Sequence, residues 1–178
     1  MNFSRKLYLM ILPISSTDKT RKVYTLDFSR PKVPSLDDAF NYIYSIDFSM
    51  LIYKITNPDP NIARIWDEES AHRVVNYYKN YLWLLRKYSE KHPIIPPSVD
   101  IDEIWHHHIL DTYKYHEDCS AIFGQYLHHY PYFGMRGEAD YLELERTFKI
   151  TQQLHMEEFG EQIYSFEIEE VEMEVDYL

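Results

Sequence analysis

Apolar positions recur every three or four residues through the middle of the chain and every second residue near its C-terminal end. Leu36, Phe40, Ile43 and Tyr44 follow Ser35, a candidate N-cap. Phe48, Leu51, Ile52 and Ile55 continue that spacing until Asn57-Pro58-Asp59-Pro60 stops it. One or two helices are predicted there. After Asp67 and Ser70 as candidate caps, Val74, Tyr78, Tyr81, Leu82, Leu85 and Tyr88 form the stripe of a long helix that ends before Pro93. Pro93, Pro96 and Pro97 make a stiff connector, and Ser98 or Asp100 then opens a helix expected to run unbroken to about Cys119. Gly124 and Pro131 break the next stretch. A last helix is predicted from Glu138 to Phe159, with Leu142, Leu144, Phe148, Ile150, Leu154 and Phe159 apolar and Gly160 as C-cap.

The ends follow another rule. From Arg5 to Ile14 and from Arg21 to Phe28 the chain is rich in β-branched, aromatic and aliphatic residues, and the polar run Ser15 to Thr20 between them can turn. This reads as a hairpin. Glu170 to Tyr177 alternates with period two, which suits a half-buried strand, while a solvated acidic tail fits equally well. Basic residues in the hairpin and acidic ones in the tail would favour pairing of the two ends. The expected fold is therefore mainly α: a single helical-bundle domain with a small peripheral β element formed by the N-terminal hairpin and, in one of the two readings, the C-terminal strand. Its expected divisions are a hairpin in 1–30, a helical domain in 31–162 and an acidic strand or tail in 163–178.

Composition agrees with that picture and removes several functions. The 178 residues include only 4 Gly, too few for Gly-rich phosphate loops or hairpin-dense sandwiches, while 45% are hydrophobic and 16% aromatic, enough for a packed core. A net charge of −11 repels phosphate backbones and anionic lipid surfaces, so a protein partner is expected and neither nucleic acid nor a membrane. The single cysteine, Cys119, forms no internal disulfide and points to the cytoplasm. Met1 to Ser16 has two basic residues before a short apolar run, but Pro13 interrupts it and no small-residue cleavage site follows, so a strand is the better reading than an export signal.

The chemical oddity is histidine: six of the nine fall between His106 and His129. At roughly 100° per residue, Ile101, Ile104, Trp105, His108, Thr112, Tyr115 and Cys119 share one face of the expected helix, with Asp111 and Asp118 on its flank. His108 should point inward. His106, two positions earlier, belongs to a second face with Asp102, Leu110 and Tyr113, so His106 and His108 cannot grip one ion together. The pairs that can converge are His108 or His107 with Asp111, and His128 or His129 would have to supply further ligands. Two readings follow: a structural network in which His108, satisfied by Asp111, and His106 are core residues, or a metal site of His108, Asp111, His128 and His129 holding zinc or another divalent ion. Cys119 lacks a basic neighbour that would activate it and reads as a small buried thiol. HExxH, phosphate loops and Ser-His-Asp arrangements are not legible.

The run from Pro97 to Cys119 (PSVDIDEIWHHHILDTYKYHEDC), with FGQYLHHYPYFG from Phe123 to Gly134, resembles the glycine-rich domain-containing protein-like family. The matching positions are Pro97-Ser98, Asp102, Trp105-His106, His108, Leu110-Asp111, Tyr115, Asp118-Cys119, Phe123-Gly124 and the histidine before an aromatic and Pro131. Tyr78 to Leu85 (YKNYLWLL) and Phe159-Gly160 extend the likeness to about residues 36–162. The resemblance names no reaction or cofactor. It directs attention to His106, His108, Asp111, Asp118 and one of His128 or His129, and leaves His107 out. Plant relatives carry Gly-rich extensions that this chain lacks. The acidic tail is also similar to that of some bacterial secretion substrates.

The expected function is a soluble interaction or regulatory module whose candidate network comprises Asp102, Trp105, His106, His108, Asp111, Tyr115, Asp118 and Cys119. The alternative is a metal-dependent hydrolase built on His108, Asp111 and His128 or His129.

Overall fold

Four of the six helices begin where a side chain can occupy the free amide groups of the first turn. The computed structural model describes residues 33–57 and 64–166. The Ser35 hydroxyl accepts the Asp38 N–H at 3.0 Å and starts α1 (Leu36–Ser45), with Asp37 and Asp38 favourably placed at its positive end. Asp67 accepts the Ser70 N–H at 2.9 Å and starts α3 (Glu68–Tyr88), and Ser98 accepts the Ile101 N–H at 3.3 Å and starts α4 (Val99–Leu110). Between the first two lies the short α2 (Ser49–Thr56), without a side-chain cap. After α4 come α5 (Thr112–Phe123) and α6 (Glu138–Phe159), and both end on a left-handed glycine, Gly124 and Gly160.

The organising element is α3, roughly 31 Å long for its 21 residues. It packs against α1, α2, α4 and α6, and so buries more than the stripe read from the sequence: Val75, Tyr77, Trp83 and Leu84 are buried along with Val74, Tyr78, Tyr81 and Leu82. Several of its aromatic side chains bring polar ends inward and find partners there. Tyr81 O–H donates to the Ile95 carbonyl at 2.9 Å, and Trp83 Nε1–H donates to Glu158 at 2.9 Å. Glu158 also takes Lys87 and Tyr88, and these bonds overcome the burial that would raise its carboxyl, holding it below the usual range.

The fold is mainly helical, and no strand occurs among the described residues. The hairpin expected over Arg5 to Phe28 and the strand expected over Glu170 to Tyr177 lie outside them. Two helical faces differ from expectation. In α1 the buried positions are Ala39 and Ile43, whereas Leu36, Phe40 and Tyr44 are exposed. In α6 the buried side chains are Thr147, Thr151, Leu154 and His155, a half-polar stripe, while Leu142 is exposed. The polar members are satisfied locally or across the core: Thr151 donates to the Pro96 carbonyl at 2.9 Å, and His155 lies 2.7 Å from the Glu161 carbonyl and 3.1 Å from Asn80 Nδ2. With Nδ1 protonated, His155 donates to Glu161 and accepts from Asn80 at Nε2.

The expected unbroken helix from Ser98 to Cys119 is in fact two. It stops at Asp111, whose φ of −83° and ψ of 74° are outside the helical region. Asp111 closes α4, its N–H bonding to the His108 carbonyl at 3.1 Å, and opens α5, its carboxylate accepting the Lys114 N–H at 3.4 Å. An aspartate serves this joint because it accepts amide hydrogens just outside a helix more readily than it supports a helix interior.

Candidate functional site

The joint at Asp111 creates the central polar network. Residues ten apart on an uninterrupted helix are separated by about 15 Å. Here Trp105 Nε1–H donates to the Tyr115 hydroxyl at 2.9 Å and His108 Nε2 lies 2.9 Å from Asp118 Oδ2, each pair ten residues apart. Only a bend between α4 and α5 permits both. Thr112, placed on the inward face by an unbroken helix, is exposed, while Tyr115, Asp118 and Cys119 are buried.

His108 and Asp118 are each 2% exposed and have no open valence. The Asp118 carboxylate accepts the Tyr42 O–H at 2.7 Å and the His108 Nε2–H at 2.9 Å, with Lys114 Nζ at 3.3 Å. Because His108 donates from Nε2, Nδ1 is free to accept the Tyr78 O–H at 2.8 Å. Burial alone would raise the Asp118 carboxyl, but the bonds from His108 and Tyr42 and the charge of Lys114 outweigh it and hold it below the ordinary range. The same environment acts oppositely on Tyr42: burial and its bond to Asp118 push the phenol up to about 12. Burial likewise raises the phenol of Tyr78, which is wholly buried, well above its ordinary value. The chain Tyr78, His108, Asp118, Tyr42 thus ties α3, α4, α5 and α1 together.

On the other side of α4 lies a groove of about 860 Å³. Tyr81 and Leu85 of α3, Val99, Asp102 and Trp105 of α4, the prolines of the connector, residues 125–131 and Leu144 of α6 line it. The 125–131 segment is held by Tyr115, whose O–H donates to the Leu127 carbonyl. This places the His129 ring 4.4 Å from Trp105, edge to face, and its Nε2 at 2.7 Å from Asp102 Oδ1. His106 Nε2 approaches the other oxygen, Asp102 Oδ2, at 3.7 Å.

The sequence candidates therefore separate. His108 takes Asp118, not Asp111, as partner; Asp111 is exposed and caps α5. His106 is half exposed and is not a core residue. His108 and Asp111 border a small pocket of about 250 Å³ with His107, whereas His128 and His129 border the large groove, so the four suggested metal ligands are not brought together. Among the described residues, one group of three places a donor atom from each member within 4.8 Å of the others: Asp102, His106 and His129. Spacing alone places Asp102 and His106 on one face, one helical turn apart, whereas nothing local marked His129 as their neighbour. Sequence reasoning also missed Tyr42, Tyr78 and Lys114, which belong to the His108 network through the packing of separate helices. Cys119 is buried, and burial pushes its thiol up to about 11, which matches an inert core role.

These features define a mainly helical domain with a buried tyrosine, histidine and aspartate network beside an aromatic groove. The UCP032817-like family model matches residues 41–162, and the chain belongs to this uncharacterised family. No curated protein and no solved structure matches the chain. The family match covers almost the stretch that resembles glycine-rich domain-containing proteins, but it names no glycine-rich relative.

Proposed function

We propose that this domain is a non-catalytic interaction module that receives an apolar, positively charged segment of a partner protein in the groove between α3, α4 and residues 125–131. The groove carries the reading: a concavity of about 860 Å³ lined largely by Tyr, Trp, Phe, Leu and Pro, with Asp102 and Glu90 as the acidic residues of its polar lining. Aromatic walls supply burial for aliphatic anchors, and a chain of net charge −11 draws in a basic partner. The His108 network supports the role by rigidity, since its polar atoms are consumed by one another. The single cysteine suits the cytoplasm, where we place the protein, and the negative charge argues against nucleic acid as the partner. Kinship with glycine-rich domain-containing proteins, suggested by the Pro97 to Cys119 motif, is part of the same proposal.

Selection from a random peptide display library on the full chain tests this. Selected peptides should combine aliphatic or aromatic anchors with Lys or Arg, and their affinity, read by fluorescence anisotropy, should fall in Val99→Glu and Tyr130→Glu. Both positions line the groove and are exposed, so the fold should be unaffected. Peptides without that chemistry, or binding indifferent to both substitutions, would overturn the reading.

A further inference from the structure

The geometry points to a divalent transition-metal site formed by Asp102, His106 and His129 at the rim of the groove. It goes beyond the interaction reading and stands without it, since the probe is the metal alone.

The donor set is two imidazole nitrogens and one carboxylate, the borderline combination that suits Zn²⁺ and neighbouring first-row ions and does not suit Mg²⁺ or Ca²⁺. Two of the ligands lie one turn apart on α4, a spacing that aims both side chains to the same side of the helix. The third comes from outside the helix but is not loosely held. Its ring packs on Trp105, and its segment is pinned through Leu127 to the buried Tyr115.

Metal bonds of 2.0–2.2 Å place two tetrahedral donors about 3.3 Å apart. The observed separations from Asp102, 2.7 Å to His129 and 3.7 Å to His106, lie on either side of that value. These two distances end on different oxygens of the one carboxylate, and one donor atom from each of the three residues lies within 4.8 Å of the others, so drawing them onto one ion takes shifts on the order of 1 Å, roughly the rotation of a side chain. The His106 side chain, 50% exposed, is free to make such a rotation, and the Asp102 side chain, at 32%, gives up its bond to His129 without stranding a buried charge. Metal binding replaces the Nε2–H of His129 with an Nε2–metal bond, and solvent carries the proton to Nδ1, so the imidazole stays neutral. Three protein ligands leave at least one coordination position for water or an outside ligand. Since Asp102 and His129 both line the groove, that position faces its mouth.

The test uses the full chain purified without a histidine tag and stripped with chelator. Isothermal titration calorimetry with Zn²⁺ should give one site per chain, Co²⁺ should develop visible d–d absorption, and Mg²⁺ should produce neither. Asp102→Asn, His106→Gln and His129→Gln should each weaken Zn²⁺ binding by at least the roughly tenfold that losing even an outer-shell partner costs. His72→Gln and His116→Gln, exposed histidines elsewhere, should leave it unchanged. His106→Gln guards against misfolding, because that side chain is half exposed and supports no core contact, and circular dichroism would check each variant. Absence of stoichiometric Zn²⁺ binding overturns the site, as does binding that survives the three substitutions or falls equally in the two controls. Failure to select basic, apolar peptides while Zn²⁺ still binds would sink the groove and leave the metal site standing, and absence of Zn²⁺ binding while such peptides are selected would do the opposite.

Discussion

His108 Nε2 lies 2.9 Å from Asp118 Oδ2 across the joint between α4 and α5, and both side chains are sealed from solvent. Removing one partner strands the other. Asp118→Ala leaves the His108 Nε2–H and the Tyr42 O–H without acceptors and should cost about 3–5 kcal/mol. Tyr42→Phe removes one hydrogen bond from a half-buried site and should cost only about 1 kcal/mol. Urea unfolding of the two variants beside wild type checks this ranking; equal costs would mean that Asp118 is not the hub.

Acid should destabilise the protein in two stages. Burial pulls the His155 and His107 imidazoles below their ordinary value of 6.5, so the unfolded chain binds more protons than the folded one once pH falls below about 6.5. Stability is therefore full above that point and declines on the acid side. Asp118 is held below the ordinary 3.8, so its contribution is present above about pH 4 and is lost as pH falls through the folded value. Thermal unfolding followed from pH 8 to pH 3 should show both declines. His155→Gln should flatten the upper one and Asp118→Asn the lower, and a profile unchanged in either variant contradicts its assignment.

Cys119 should be slow to react. With its thiol pushed up to about 11 by burial, little thiolate exists at neutral pH and no path leads to it. A thiol reagent such as dithiobis-nitrobenzoate should modify the native chain orders of magnitude more slowly than the urea-unfolded chain. Comparable rates would place the thiol in contact with solvent.

Gly134 sits at φ +90°, where a side chain is strained, and a Cβ there would come within 2.6 Å of Leu144 Cδ2. Its N–H donates to Asp140 Oδ2 at 2.7 Å, which fixes the backbone before α6. Gly134→Ala should destabilise by about 1–3 kcal/mol, combining backbone strain with displacement of Leu144. Gly160→Ala, strained at φ +76° but with open space around it, should cost less. The order of the two urea midpoints decides the matter.

The sequence was most legible where one local signal sufficed. Ser35, Asp67 and Ser98 mark their helix starts by side-chain chemistry, and Gly160 marks an end because it alone tolerates the left-handed turn. The inward direction of His108 followed from helical spacing over one stretch, Ile101 to His108. Past Asp111 that arithmetic still places Tyr115 and Cys119 inward but misplaces Thr112, which is exposed, and Asp118, which is buried, because a single non-helical residue resets the angular phase. The network around His108 draws on four helices, its own included, and His129 meets Asp102 across a loop. Such meetings depend on how elements pack, which no periodicity encodes. The polar underside of α6 was hidden for a related reason: Thr147, Thr151 and His155 are buried because carbonyls and Asn80 receive them or lie beside them, not because they are apolar.

The hinge residue at 111 also imposes a rule on chain length. Inserting or deleting one amino acid in the helical turn on either side of it would spin everything beyond by roughly 100°, swinging Tyr115 and Asp118 away from Trp105 and His108 at a stroke. Evolution can repaint that corner with other capping side chains, but it cannot lengthen or shorten it without dissolving the centre of the protein.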